Sequence, residues 1–173
     1  MLLEYLVQKT DCYDLSPDEC HMIAIASAFH DIGKIGIDEK ILNKPGKLTP
    51  EEFAQIKQHT LIGASMLDKM ERYKDEPLIK IAYQICRWHH ERYDGKGYPD
   101  GLYGEEIPIS AQIVSIADVY DALISERAYK KAYTHEKALE MILNGECGTF
   151  NTLLLEILVE IQPKLKERME QLE

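Results

Sequence analysis

Two adjacent histidines, His89 and His90, end an apolar helical run and lead directly into a glycine-rich segment. The apolar residues recur at helical spacing and are Ile79, Ile81, Ala82, Ile85 and Trp88. This pattern predicts a helix that starts at Pro77, followed by a loop over residues 94–108 with four glycines and two prolines. The junction therefore places two nitrogen ligands on a rigid element, beside backbone that a ligand can approach closely.

The rest of the chain is predicted to be helical as well, and neither a strand pattern nor an internal repeat is visible. Ser16 with Glu19 and Thr49 with Glu52 form two capping boxes, each with proline at the first helical position. Further helices are expected over about residues 110–125, 134–143 and 151 to the end. The first residues already have the pattern of the middle of an amphipathic helix, so we expect the chain to be a fragment of a longer protein.

Length and composition limit the class of protein. A chain of 173 residues is expected to form one domain, residues 1–173, with a substantial core. The net charge of −10 argues against binding of duplex nucleic acid, although bound cations would reverse the charge locally for a small phosphate ligand. No apolar run has transmembrane length, and the four cysteines are scattered. We therefore expect a cytoplasmic protein with reduced thiols and no membrane insertion.

Six residues at or near helix ends or on inward faces are candidate metal ligands: His30, Asp31, His59, His89, His90 and Asp118. Such a mixed nitrogen and oxygen set suits iron, manganese, zinc or nickel better than magnesium or calcium. A carboxylate can bridge two cations, and two metals about 3.5–4 Å apart can activate water and hold a phosphoryl group. Two alternatives stay open, because His59 can be an ordinary half-buried histidine and Asp118 a hydrogen-bonded core aspartate.

Basic and aromatic residues flank these candidates. Lys34 follows the His30-Asp31 pair, and Arg127 and Lys130 lie beyond Asp118, where they could bind phosphate oxygens. The alternative for the basic residues is a solvated helix end that complements the helix dipole. Tyr98 lies in the glycine-rich segment and could approach a ligand closely, although such a segment can also be a plain connector.

These residues together resemble the HD-GYP domain, the subfamily of HD phosphohydrolases that cleaves cyclic di-GMP. The matching segments run in family order and cover most of residues 20–160: residues 30–36 (HDIGKIG), His59, His89-His90-Glu91, residues 94–102 (DGKGYPDGL), Gly104, Ile107-Pro108, residues 116–123 (IADVYDAL) and residues 125–130 (SERAYK). A lone His-Asp pair would be a weak signal, whereas this ordered set is highly specific.

The resemblance implies a compact all-α HD-domain bundle of about six to eight helices with two divalent transition-metal ions, iron or manganese first and zinc or nickel as alternatives. It implies that the six candidate ligands bind the metals with Asp31 as the bridge. Asp31 and Lys34 match catalytic positions, and Lys34 lies close to the scissile phosphate. The residues that match positions holding the dinucleotide, besides Lys34, are Tyr98, Arg127 and Lys130. The expected product is linear pGpG, sometimes processed to GMP.

The resemblance also implies neighbouring domains, and it leaves alternative functions open. Such domains usually follow sensory, receiver or diguanylate cyclase domains in bacterial signalling proteins. The family carries a further histidine upstream of the His-Asp pair at a position before Met1, so we expect a weakened first metal site. The alternatives are a module that binds cyclic di-GMP or docks a partner without cleavage, and an HD phosphohydrolase that acts on another nucleotide. The apolar stripe of the last helix either packs on its own domain or forms a homodimer seam; its residues are Leu154, Leu158, Ile161, Leu165 and Leu172.

Overall fold

The computed structural model describes residues 1–126 and 131–171. Over these residues the chain forms eight α-helices and no strand, so the predicted all-α class is confirmed. Short 3₁₀ segments lie at Ser27–Phe29, Ile32–Gly36 and Gly104–Glu106. The α-helices are α1 (Leu2–Lys9), α2 (Pro17–Ala26), α3 (Glu39–Leu42), α4 (Pro50–Asp68), α5 (Pro77–Trp88), α6 (Ile109–Ile124), α7 (His135–Leu143) and α8 (Thr152–Glu170).

Both predicted capping boxes are confirmed. The side-chain oxygens of Ser16 and Thr49 accept hydrogen bonds from the backbone N–H groups of Glu19 and Glu52, whose carboxylates accept from the cap backbone in return. These reciprocal bonds fix where α2 and α4 begin. Helix α2 ends at Ala26, where the hydroxyl of Ser27 donates to the Ala24 carbonyl and the chain tightens into a 3₁₀ turn.

The helices enclose two apolar clusters that meet at α6. The first cluster joins α1, α6, α7 and α8 and contains Leu6, Ile116 and Ile157. The second joins α2, α4, α5 and α6 and contains Ile23, Ile85 and Val114. Because α6 contributes to both clusters, its position is fixed from two sides.

The apolar stripe of the last helix packs into the core of its own domain. Leu154, Leu158 and Ile161 are at most 1% exposed in the first cluster, and Leu165 packs against that cluster. Leu172, the last residue of the predicted stripe, lies outside the described residues. Among the described helices, none has both the length and the apolar character needed to cross a bilayer.

Candidate metal centre

The His30-Asp31 pair lies on a tight turn that packs directly against α4. His30 ends the Ser27–Phe29 turn, and Asp31 precedes the Ile32–Gly36 turn. Gly33 makes the packing possible, since a Cβ atom at this position would lie 1.9 Å from the carbonyl oxygen of His59. Only a residue without a side chain fits there, and the close approach brings Asp31 next to His59.

Three of the four candidate imidazoles are aimed by hydrogen bonds to the backbone of their own segment. The Nδ1 atoms of His30, His59 and His89 lie 2.8, 2.7 and 2.9 Å from the carbonyl oxygens of Ser27, Ile56 and Ile85. A carbonyl oxygen can only accept a hydrogen bond, so each Nδ1 carries the hydrogen and the Nε2 atom is the one left to bind a ligand. This arrangement of the second ring nitrogen is typical of metal-ligating histidines.

The free ring nitrogens face a carboxylate oxygen, Asp31 Oδ1, that has no hydrogen-bond partner. One ligand nitrogen from each of His59, His89 and His90 lies within 4.8 Å of the other two, and the Nε2 atoms of His59 and His89 are 3.4 Å apart. Asp31 Oδ1 is buried without a hydrogen bond, 3.4 Å from His59 Nε2 and 4.0 Å from His89 Nε2. Electron-pair donors that face one another in this way fit a divalent cation.

The second oxygen of Asp31 faces the remaining two candidates. Asp31 Oδ2 is 3.3 Å from His30 Nε2 and accepts a hydrogen bond from the ammonium group of Lys34. Asp118 Oδ1 on α6 is 3.7 Å from the same His30 nitrogen. The structure thus brings all six predicted residues into one group, called the His/Asp cluster below, with Asp31 between its two sides.

Burial keeps most of these imidazoles neutral at physiological pH. It lowers the pKa of His59, and with the nearby His30 charge it lowers the pKa of His89 to about 4. Burial together with His89 lowers the pKa of His90 to about 3. Neutral rings keep the lone pairs that a metal ion needs.

The opposite side of the cluster favours positive charge. The nearby carboxylates of Asp118 and Asp31 raise the pKa of His30 to about 10. Burial opposes ionisation of both carboxyl groups, yet the facing His30 ring holds the pKa of Asp31 and of Asp118 below the ordinary value for aspartate. Two ionised carboxylates therefore face this side, where they can stabilise a proton or a cation.

A cleft of about 400 Å³, called the metal-side cleft below, opens onto the His/Asp cluster. Lys34 and Tyr98 line this cleft together with His59, His90 and Asp118, as expected for groups that contact a ligand. The Tyr98 ring stacks on the His90 ring with centroids 4.9 Å apart. Two predicted phosphate-binding residues, Arg127 and Lys130, lie outside the described residues.

Glu91 anchors the loop that carries Tyr98, a role that the sequence did not suggest. Its carboxylate is 4% exposed and accepts hydrogen bonds from the backbone N–H groups of Asp100, Gly101 and Leu102 at 2.7, 3.0 and 3.1 Å. The loop also lies tightly against this helix end, since a Cβ atom on Gly97 would be 2.4 Å from the Cα atom of Glu91. The sequence feature that could have indicated this role is the position of Glu91. This acid directly follows the histidine pair and precedes a loop whose backbone N–H groups need acceptors.

Asp100 holds the same loop from the other side. Its carboxylate accepts hydrogen bonds from Arg87 Nε and Nη2 at 2.7 and 2.9 Å and from the indole N–H of Trp88 at 2.7 Å. The loop is therefore fixed to the end of α5 by two carboxylates, one supplied by the helix end and one by the loop.

An all-α fold that gathers histidines and aspartates from several helix ends around one cleft defines a domain of the metal-binding His/Asp class. Residues 2–147 match the HD domain family, and the chain belongs to this family. The names of its relatives give the activity that the HD-GYP resemblance of the motifs implies.

The relatives are bacterial proteins whose names give related activities. The chain is 45% identical over 166 residues to a probable cyclic di-GMP phosphodiesterase of Vibrio cholerae, covering 93% of this chain and 38% of that protein. It is 41% identical over 153 residues to the cyclic di-GMP phosphodiesterase response regulator RpfG of Xanthomonas campestris, covering 88% and 39%. A third relative, 3'3'-cGAMP-specific phosphodiesterase 2 of Vibrio cholerae, is 40% identical over 156 residues, covering 90% and 29%. The chain thus spans less than two fifths of the length of these relatives.

A solved structure shares the fold. Bd1817, an HDG"Y"P protein from Bdellovibrio bacteriovorus, aligns with a TM-score of 0.66 over 92% of this chain and 47% of that chain. At 24% sequence identity this likeness supports the fold of the chain.

Proposed function

We propose that this domain is a metal-dependent phosphodiesterase that hydrolyses cyclic di-GMP to pGpG and, on further cleavage, to GMP. The observation that carries the proposal is the grouping of four imidazoles and two carboxylates in one cluster, with Asp31 facing both of its sides. The names of relatives at 40–45% identity support the substrate class.

The six residues of the His/Asp cluster would hold two divalent cations, with Asp31 as the shared ligand. A mixed set of imidazole nitrogens and carboxylate oxygens favours iron or manganese, with zinc or nickel as alternatives. When bound, such ions supply Lewis-acid activation of water and neutralise charge on the phosphoryl group.

The residues of the chain itself would bind and orient the substrate. The ammonium group of Lys34 lies at the Asp31 carboxylate on the metal-side cleft, where it can donate hydrogen bonds to phosphate oxygens. Tyr98 is fixed by its stack on His90 and by the anchored loop, so it can orient the dinucleotide without moving. Arg127 and Lys130 are proposed to hold the same ligand.

The direct test is product formation. Protein supplied with iron or manganese is incubated with cyclic di-GMP, and pGpG is followed by chromatography while bound metal is measured by elemental analysis. Asp31→Ala should abolish both metal binding and turnover, whereas Asp75→Ala, which removes a surface carboxylate that is 86% exposed, should leave both unchanged. A wild-type protein that holds two metals and binds cyclic di-GMP without forming product would replace this proposal with a binding module.

Another cyclic dinucleotide is a second candidate substrate, because one relative at 40% identity is named as specific for 3'3'-cGAMP. The kcat/KM values for cyclic di-GMP and 3'3'-cGAMP, measured side by side on one preparation, rank the two substrates. We further propose that residues 1–173 work as one domain of a longer bacterial signalling protein in the cytoplasm, downstream of a sensory, receiver or diguanylate cyclase domain.

A further inference from the structure

A second cavity of about 270 Å³ adjoins the metal-side cleft. Five side chains line both spaces: Phe53, His90, Tyr98, Val119 and Cys147. Together, the cavities of about 400 and 270 Å³ fall within the range of roughly 300–1,000 Å³ typical of small-molecule sites. A ligand with two linked halves can therefore occupy both at once.

Three basic side chains line the second cavity, and among the residues that the structure describes Lys57 has no acidic partner. Arg92 and Lys96 both face Asp94, with their nitrogens 3.0 and 4.0 Å from its Oδ2 atom. Over residues 1–126 and 131–171, no carboxylate oxygen lies within 4.0 Å of the Lys57 ammonium. Glu91 also lines the cavity, but its carboxylate already accepts three backbone hydrogen bonds.

Aromatic rings hold the Lys57 ammonium at the border of the two spaces. It lies 4.9 Å from the ring centroid of Phe53 and 5.1 Å from that of Tyr98. Its side chain is half-buried on α4, two residues before His59. A cation placed in this way can bind an anion while its aliphatic stem stays packed.

Phe53 adds a surface for a nucleobase. Its ring is 44% exposed at the border of both cavities and meets the Tyr98 ring edge to face, with centroids 6.4 Å apart. Base stacking on an exposed aromatic ring contributes to binding whatever the identity of the base.

We propose that Lys57 and Phe53 form a subsite for one half of the cyclic dinucleotide, the nucleotide whose phosphodiester bond is not cleaved. Lys57 binds its phosphate and Phe53 stacks on its base. The inference rests on the proposed function, because a cyclic dinucleotide with one phosphate at the His/Asp cluster must place its second phosphate and base in an adjoining space. The second cavity, with its unpaired cation and exposed ring, is complementary to that half.

The test compares two phosphodiesters on manganese-loaded protein: cyclic di-GMP, and bis(p-nitrophenyl) phosphate, which has one phosphate and no second nucleotide. Lys57→Met keeps the length of the side chain and removes its charge. It should lower kcat/KM for cyclic di-GMP by about 10- to 100-fold, mainly through KM, because a charged hydrogen bond is lost. Hydrolysis of bis(p-nitrophenyl) phosphate should stay unchanged. Phe53→Leu should show the same selectivity, with a loss of roughly tenfold.

Calorimetry with pGpG on protein stripped of metal by a chelator gives a readout that is independent of turnover. Lys57→Met should raise the Kd for pGpG by about the same factor as the KM for cyclic di-GMP. The matched control is Lys69→Met, which removes the same charge from an exposed position at the other end of α4 and should change neither substrate nor ligand. Urea unfolding of each variant shows whether the fold is retained.

Three results would overturn the subsite. Equal losses with both substrates would mean that Lys57 acts through Tyr98 and the His/Asp cluster, and unchanged kinetics with cyclic di-GMP would mean that it binds nothing. A wild-type protein that cleaves bis(p-nitrophenyl) phosphate but neither cleaves nor binds a cyclic dinucleotide would remove the substrate class. Absence of cleavage with both compounds would instead refute the proposed hydrolase function itself.

Discussion

Replacement of Gly33 by alanine should separate the His-Asp turn from α4. The added Cβ atom would lie 1.9 Å from the carbonyl oxygen of His59 and 2.5 Å from the backbone nitrogen of Gly63. Both atoms belong to the backbone of α4, so neither can rotate away. The turn must therefore move by about 1.5 Å before the first contact reaches the ordinary distance of 3.4 Å.

Such a displacement affects both stability and metal binding. Overpacking of a buried site costs about 1–3 kcal/mol, and we expect about 3 kcal/mol because backbone has to shift. Asp31 moves with the turn, away from a His59 nitrogen that is now 3.4 Å from its Oδ1 atom. Metal–ligand distances tolerate only about 0.2 Å, so Gly33→Ala should also lose bound metal.

Urea unfolding followed by circular dichroism, in the presence of a chelator, measures the stability of the fold without a metal contribution, and elemental analysis measures the metal. Gly36→Ala is the matched control in the same turn, since the nearest atoms to its Cβ atom would be side-chain atoms of Ile62 at 3.1 Å and not backbone. We expect a cost below about 1 kcal/mol there, within the range of mild overpacking. A Gly33→Ala protein with wild-type stability and full metal content would refute the argument that this close approach builds the site.

Three further predictions concern the loop, its pH dependence and a helix cap. Gly97→Ala should lower the turnover of cyclic di-GMP by about 100-fold with metal content retained, because the new Cβ atom would lie 2.3 Å from the backbone nitrogen of Arg92 and displace Tyr98. Steady-state kinetics together with elemental analysis tests this prediction, and normal turnover would contradict it. Hydrogen bonds with Arg87 hold the pKa of Asp100 below its ordinary value of 3.8, so their stabilisation is present at neutral pH and is lost as the pH falls through the lowered value. Asp100→Asn should therefore lower the free energy of unfolding by about 1 kcal/mol at pH 7 and by progressively less in acid. Urea unfolding at several pH values measures this difference, and a difference independent of pH would argue against the ion pair. Thr49→Ala should cost about 1 kcal/mol by removing a cap of α4, with Thr49→Ser as a near-neutral control in thermal unfolding; equal melting temperatures for both would refute the cap.

Features that depend on local chemistry were predictable from the sequence. Ser16 and Thr49 start helices where expected, because each capping bond joins residues only three positions apart. The six members of the His/Asp cluster could be selected because each falls at a helix end or on an inward face, and an ordered family pattern connected them. Their convergence depends on the contact of Gly33 with α4, which has no signature in local spacing.

Features that depend on loop conformation escaped the sequence analysis. Glu91 and Asp100 resemble ordinary surface acids until the loop folds back, which brings the loop N–H groups to Glu91 and brings Asp100 to Arg87 on α5. Lys57 is similar, since its position over two rings requires α4 and the loop to meet. The end of α2 cannot be read from the pattern, because a serine inside a helical pattern can either continue the helix or tighten it, as Ser27 does.

The backbone bonds that aim His30, His59 and His89 make each ligand self-contained. Every one of these rings takes its direction from a carbonyl three or four residues earlier in its own chain segment. Each ring is therefore oriented as soon as its own turn or helix has formed, before the other segments pack against it. Substitutions of neighbouring side chains on other segments need not rotate the ring. This independence would let the surroundings of the His/Asp cluster change while the directions of its rings stay the same.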